Sequence, residues 1–291
     1  MNPSASSIPA QPIEAKIEGG IRLMGRAWLN ESPRALIAVV HGIGEHSGRY
    51  SALASDLVRA GYTVVALDLP GHGESPGPRG DMRSWPAVRD QALAAMFAAP
   101  VGLAGQPEGL PRVVLGHSMG GLMALDYVLA HPRGIAAGVA SAPGLSSAIP
   151  PWWKLALANA ARVTAPSLGF PTGLDANGPG GISRDPEVTR LRDADRLVHD
   201  RISPRLYFDF AEARMRVQRE ARRLQLPVLL MQGEADRMVN PEGTRAFAAA
   251  APRELITFKT YPGAFHELFN DLGREQVVAD VLSFLSSVLR A

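Results

Sequence analysis

Two kinds of hydrophobic pattern divide the chain. Residues 13–17 and 21–29 alternate apolar and polar side chains on either side of Gly19-Gly20, which is the period of half-buried strands and predicts an antiparallel hairpin at a sheet edge. From residue 35 the alternation gives way to short runs that are mostly apolar, at 35–40, 63–67, 113–115, 135–139, 228–231 and 255–258. Such runs suit strands buried on both faces. Amphipathic helical segments separate several of them, at 50–60, 85–99, 119–130, 241–250 and 274–289. The alternation predicts an α/β fold with a mainly parallel, eight-stranded sheet and helices on both faces.

One interval breaks this rhythm. More than eighty residues separate the strand ending near Ala142 from the one beginning at Pro227, and 144–204 is rich in Pro and Gly without a clear period. A structureless loop of that length is improbable inside a compact domain, so 144–204 reads as an inserted cap. A helix over 205–224 leads back to the sheet. The expected organisation is a flexible tail at 1–12, a core made of 13–143 and 205–291, and the insertion between its halves.

Composition narrows the function classes. A chain of 291 residues, 46% of them hydrophobic, can bury a large core. Its 30 basic side chains, nearly all arginine, are scattered among 28 acids for a net charge of only +2, so no nucleic-acid partner is expected. The absence of cysteine excludes disulfides, thiol nucleophiles and Cys-ligated metals. The first twelve residues lack the basic start and apolar core of a secretory signal, and no apolar run approaches a membrane span, so a soluble cytoplasmic protein is expected. Nothing in the sequence speaks to oligomeric state.

The candidate chemistry centres on Gly116-His117-Ser118-Met119-Gly120, between the run 113–115 and the helical pattern that follows. Composition alone produces about 0.2 chance matches to G-x-S-x-G in such a chain, so its place between a strand and a helix carries the argument. A serine at a sharp strand-to-helix turn needs small residues two places away on each side, and it leaves its hydroxyl exposed as a nucleophile. It also needs a base, and a carboxylate to orient that base. Of the histidines after Ser118, His131 falls at a helix end, where bonding to terminal carbonyls is expected, and His199 falls on an Arg/Asp-rich stretch expected to be solvated. His266 follows the last strand and is the candidate base. Glu234 and Asp236 both follow the strand before it; Asp236 is preferred, because a short side chain after Gly233 can point back to the histidine while Glu234 faces water. The order Ser118, Asp236, His266 is that of the α/β-hydrolase fold.

Attack on a carbonyl requires donors for the oxyanion. These are the backbone N–H groups of Met119, after the nucleophile, and of Ile43, in the glycine-bearing loop after 35–40. The two Gly-rich loops Gly42-x-Gly44-x-x-x-Gly48 and Gly71-x-Gly73-x-x-x-Gly77 are each one residue too long for a dinucleotide fingerprint. His41, His46, His72 and His117 lack a paired ligand spacing and read as structural, so neither metal nor organic cofactor is expected.

The chain resembles the monoacylglycerol lipase and lysophospholipase branch of the α/β-hydrolase fold. The residues that carry the resemblance are His41-Gly-Ile-Gly-Glu-His-Ser-Gly-Arg-Tyr50, Asp68-Leu-Pro-Gly-His-Gly-Glu-Ser75, Gly116-His-Ser-Met-Gly-Gly121, Gly233-Glu-Ala-Asp236 and Tyr261-Pro-Gly-Ala-Phe-His266. By position it implies the triad Ser118, Asp236 and His266 and the oxyanion donors Ile43 and Met119. It places Glu45 and Arg49 near the glycerol end of a substrate site. Two departures stand out: Ile43 is branched where a smaller side chain is usual, and Phe269 occupies a position that is polar in some members and lies near the head group. The activity implied is a serine esterase acting on single-acyl-chain esters such as monoacylglycerols. A proline iminopeptidase-like amidase and a non-catalytic binding protein on the same fold are the alternatives. In the insertion, Trp152 and Trp153 open a short helix; they either pack the cap onto the core or offer an acyl chain or a lipid surface an apolar wall.

Overall fold

The computed structural model describes residues 7–103, 106–146, 152–173 and 181–289. Strands β1 (Gln11–Ile17) and β2 (Ile21–Trp28) form the expected edge hairpin, and Gly19 and Gly20 take positive φ at its turn. The strand begins at Gln11, two residues earlier than its alternation suggests, and Ile8 is tied by its N–H to Ser55 Oγ, so the N-terminal segment is ordered from well before residue 13.

β3 (Ala35–Val40), β4 (Tyr62–Leu67), β5 (Arg112–His117), β6 (Ala137–Ser141), β9 (Val228–Gly233) and β10 (Ile256–Tyr261) complete an eight-stranded sheet in the order β1-β2-β4-β3-β5-β6-β9-β10. β2 is antiparallel to both β1 and β4, and the remaining pairs of this sheet are parallel. The two small strands that fall between, β7 (Phe170–Pro171) and β8 (Arg201–Ile202), pair with each other in the insertion.

The uninterrupted apolar runs follow from double-sided burial. In β5, Val114 enters the core shared with α2 (Trp85–Ala98), α3 (Met119–Ala130) and α6 (Pro204–Glu220), whereas Val113 and Leu115 enter the core shared with α1 (Ser51–Arg59) and α8 (Arg274–Val288). Alternate residues reach opposite faces and both faces are covered. The runs nevertheless end short of the strands. His117, Ser141 and Gln232 lie at the carboxyl ends of β5, β6 and β9, and all three are polar and buried. In a parallel sheet that edge carries the site, so hydrophobicity stops where the chemistry begins.

The insertion holds more regular structure than its period suggests. It contains α4 (Trp152–Thr164) and α5 (Pro186–Ala194), the latter capped by Asp185, whose side chain accepts from Glu187 N–H. α6 opens at Pro204 with Ser203 as its cap and ends at Glu220, short of the expected Leu224. Salt bridges and backbone bonds fasten this region to the core. Arg205 grips Asp81 at 3.1 and 2.6 Å, and Ser203 N–H donates to Gly80 O at 2.8 Å. α7 (Pro241–Ala250) follows β9, and Asn240 caps it.

Candidate active site

The turn between β5 and α3 is strained where the sequence pattern requires. Ser118 has φ 55° and ψ −117°, a conformation a non-glycine residue holds only when its surroundings dictate it, at a cost of about 1–3 kcal/mol. Those surroundings are visible. Ser118 N–H donates to Ser141 O at 2.9 Å, and Ser118 O accepts from Leu122 and Gly144 N–H at 3.0 and 2.9 Å. A methyl carbon on Gly116 would sit 2.0 Å from Gly120 O, and one on Gly120 would sit 2.1 Å from Val40 O. No side chain fits at either place. Met119 begins α3, so its N–H is one of the helix-start donors without an intrahelical acceptor.

The residues expected as acid and base meet. Asp236 Oδ2 accepts from His266 Nδ1 at 2.8 Å, and both side chains are buried. Asp236 Oδ1 accepts from the N–H groups of Met238 and Val239 at 2.8 and 3.0 Å. Gln232 Nε2 donates to Oδ2 at 2.9 Å, and the amide is held in turn by Thr244 Oγ1, which donates to Gln232 Oε1 at 2.8 Å. Burial opposes the charged form of Asp236, but His266 and the backbone donors outweigh it and hold the carboxyl below its ordinary range. Burial likewise opposes an imidazolium at His266, yet Asp236, with Glu267 and Glu45 beyond it, lifts that histidine above its ordinary value. The bond at Nδ1 fixes the neutral tautomer and leaves the Nε2 lone pair free to take a proton. Glu234, the other candidate acid, is exposed and accepts from Thr260 Oγ1 at 2.8 Å.

One pocket is lined by Ser118, His266, His117 and the loop residues Gly42, Ile43 and Gly44, with Ile182 and Arg192 reaching it from the insertion. Glu45 and Arg49 also line it, but their polar atoms are engaged within the protein. Glu45 Oε1 accepts from Gly42 N–H at 2.6 Å and Tyr50 OH at 2.7 Å, while Oε2 accepts from Arg49 at 2.9 Å. Arg49 also makes a two-pronged pair with Glu267, at 2.7 Å on each arm. Burial opposes a charged Glu45, and Arg49 overcomes it, holding the carboxyl well below its usual range.

Several expectations need correction. Phe269 does not face the pocket; it is buried among Leu268, Val277 and Val281 beneath the sheet, since its loop turns back toward α8 and an aromatic ring there fills the core. Trp153 stands on α4, about half exposed and outside the pocket lining, and the side chain of Trp152 lies outside the described residues. His199 is not solvated: Nε2 donates to Gly71 O, Nδ1 accepts from Arg201 N–H, and its ring rests 5.0 Å from that of His72. His131 pairs with Asp90 at 2.8 Å rather than with helix carbonyls. His41 is structural, donating to Gly42 O and accepting from Leu69 N–H.

Glu267 and Gln232 escaped the sequence reading. Glu267 had one signal, its place directly after the candidate base. Among the described residues no cluster of three His, Cys, Asp or Glu could hold a metal ion, and no helix is long and apolar enough to cross a membrane.

Comparison with known proteins gives the chain a family. Residues 31–273 match the Hydrolase_4 family, described as serine aminopeptidase, S33. A monoacylglycerol lipase of Mycolicibacterium smegmatis is 34% identical over 279 residues, covering 93% of this chain and 95% of that protein. The phospholipase YtpA of Bacillus subtilis is 32% identical over 263 residues, covering 88% and 97%. The crystal structure of the Paleococcus ferrophilus monoacylglycerol lipase superposes with a TM-score of 0.79 at 32% identity, covering 96% and 99%.

Proposed function

Since the chain belongs to the Hydrolase_4 family of α/β-hydrolases, in the branch of the monoacylglycerol lipases, we propose that this serine hydrolase cleaves monoacylglycerols or similar single-acyl-chain esters through an acyl-enzyme. The observation that carries this reading is the buried Asp236–His266 pair, 2.8 Å apart, bordering the same pocket as a serine held at φ 55°.

In this mechanism Ser118 Oγ attacks the ester carbonyl carbon while His266 Nε2 takes its proton. The negative oxygen is met by the N–H groups of Met119 and Ile43. His266 returns the proton to the departing alcohol, and the acyl group stays on Ser118. Water then attacks the acyl-serine, with His266 again as base, and releases the fatty acid. Asp236 keeps the imidazole in its tautomer and stabilises the imidazolium. Apart from the substrate and the attacking water, every group in these steps comes from the chain itself, so the mechanism calls on neither metal nor organic cofactor.

Residues 144–204 act as a cap over this site, a reading supported by Ile182 and Arg192 in the pocket lining. The cap carries the exposed side chains of Trp153, Leu157, Val163, Leu168 and Phe170, which suits transient contact with a lipid surface. The family's description as aminopeptidases keeps an amidase as the second reading. A panel of monoacylglycerols and chromogenic esters of graded chain length, run beside aminoacyl amides, separates the two. Turnover of the amides above the esters overturns the ester reading.

A further inference from the structure

The loop that carries His266 is fastened on three sides. Asp271 Oδ2 accepts from Phe265 N–H at 2.8 Å, Glu267 N–H donates to Ile182 O at 2.8 Å, and the Glu267 carboxylate is gripped by Arg49 on both oxygens at 2.7 Å. The third tie differs from the others because Arg49 also holds Glu45, and Glu45 Oε1 accepts from Gly42 N–H beside Ile43. A continuous path therefore runs from the backbone of the oxyanion loop, through Glu45, Arg49 and Glu267, to the residue next to the base.

We propose that Arg49 and Glu267 are positioning residues for the base: their ion pair fixes the His266 loop against the oxyanion loop and, with Glu45 on the same guanidinium, leaves that cluster one net negative charge near the imidazole. The inference rests on the roles given above to Ser118 and His266. It departs from a head-group role for Arg49, because both terminal nitrogens of that guanidinium are bonded to carboxylates of the protein. A two-pronged guanidinium–carboxylate pair sets direction as well as distance, which a lone ammonium does not. The charge count is two carboxylates against one guanidinium. Transfer of the Ser118 proton creates a cation on His266, and a nearby surplus negative charge favours it.

The groups around His266 come from several elements. Asp236 follows β9, His117 ends β5, Glu45 and Arg49 precede α1, Glu267 is the next residue, and Arg192 reaches the same pocket from α5. Removing the Glu267 charge leaves the others in place, so its effect has a definite sign. The acid limb of kcat/KM, which reports the base of the free enzyme, moves to lower pH.

The test follows kcat, KM and their pH profiles for a soluble chromogenic ester, together with labelling by a fluorophosphonate and thermal melting. Glu267→Gln is expected to shift the acid limb down by about half a pH unit and to lower kcat about tenfold, with KM within about threefold. Arg49→Lys keeps the charge without the fork, so its limb stays in place while kcat falls. Glu267→Asp behaves as Arg49→Lys does and serves where the glutamine variant does not fold. A folded Glu267→Gln with the wild-type limb and kcat overturns the proposal, as does loss of activity in both variants only in proportion to the unfolded fraction. Wild-type protein that takes no label overturns the esterase reading and the clamp with it; labelled wild type beside a folded Glu267→Gln that keeps the wild-type limb and kcat overturns the clamp alone.

Discussion

His117 packs its ring against that of His266, centroid to centroid 4.7 Å. Two histidines in contact invite competition for a proton, and their surroundings decide it. Burial, with His266 beside it, pushes His117 down to about 4, while Asp236 holds His266 above its ordinary value against the pull of burial. Of the two rings, His266 is the one whose surroundings favour taking the proton. The acid limb of kcat/KM is thus expected to be a single ionisation with its midpoint above about 6.5, the ordinary histidine value. Activity is lost as pH falls through that midpoint, because a protonated His266 cannot accept the Ser118 proton. Steady-state rates on a soluble ester from pH 5 to 9 check this; two overlapping steps, or a midpoint below the ordinary value, contradict the assignment.

Ser118→Ala is expected to abolish fluorophosphonate labelling and to lower ester turnover by about 10³-fold or more. Ser118→Gly loses the same chemistry but also relieves the positive φ, so it should melt at least about 2 °C higher than the alanine variant. Persistent labelling of either variant at the wild-type rate would assign the nucleophile elsewhere. Equal melting temperatures would mean that the turn is not strained.

Asp236→Asn and Glu234→Gln provide a paired comparison. Asp236 is surrounded by four donors, two from backbone and one each from Gln232 and His266. An amide there must turn a donor of its own toward one of them, so the histidine loses its orientation and turnover should drop by about 10² to 10⁴. The exposed Glu234 carboxylate accepts from Thr260 Oγ1, away from the pocket, and its loss should change turnover by less than about threefold. A greater loss at Glu234 reverses the assignment.

The features legible in the sequence are those set by local chain geometry. The buried strands announce themselves because alternate residues reach two covered faces, and the Ser118 turn does so because Gly116 and Gly120 abut backbone oxygens. Asp236 and His266 follow β9 and β10, neighbouring strands, so topology alone brings their loops together. The less legible parts depend on contacts between distant segments. Arg49 and Glu267 are 218 positions apart, and nothing in either stretch marks its partner. His199 looked solvated because its neighbours are charged, yet its backbone N–H donates to Gly44 O and its ring packs on His72. The family resemblance places Phe269 near the head group by position alone, and the turn of its loop sends the ring into the core instead.

Gly116→Ala and Gly120→Ala should fail for a reason distinct from catalysis. The added carbon meets a main-chain oxygen at 2.0 or 2.1 Å, in the first turn of α3 or at the end of β3, and hydrogen-bonded main chain cannot move aside as a flexible side chain does. Each variant is expected to lose several degrees of melting temperature, about 2–4 °C for every kcal/mol of strain, or to accumulate unfolded. Normal melting for both would show that the turn relaxes freely.

The insertion supplies the last prediction. Trp153 and Leu157 are one helical turn apart on α4, 48% and 64% exposed, so they project from the same face. Side chains that held the cap to the core would be buried, as Leu206 and Val217 of α6 are. Leu157, the more exposed of the two, has little burial energy to lose on truncation, so Leu157→Ser should melt within about 2 °C of the wild type, while Trp153→Ala gives up the buried half of its ring and should fall somewhat further. If this face meets lipid, the same substitutions should weaken sedimentation with phospholipid vesicles and raise KM several-fold for long-chain monoacylglycerols presented in them. An acetate ester in free solution never requires the contact, and its kinetics should be unchanged. Equal losses on every ester, together with a marked fall in melting temperature, would identify the two residues as packing and remove the lipid-facing role of the cap.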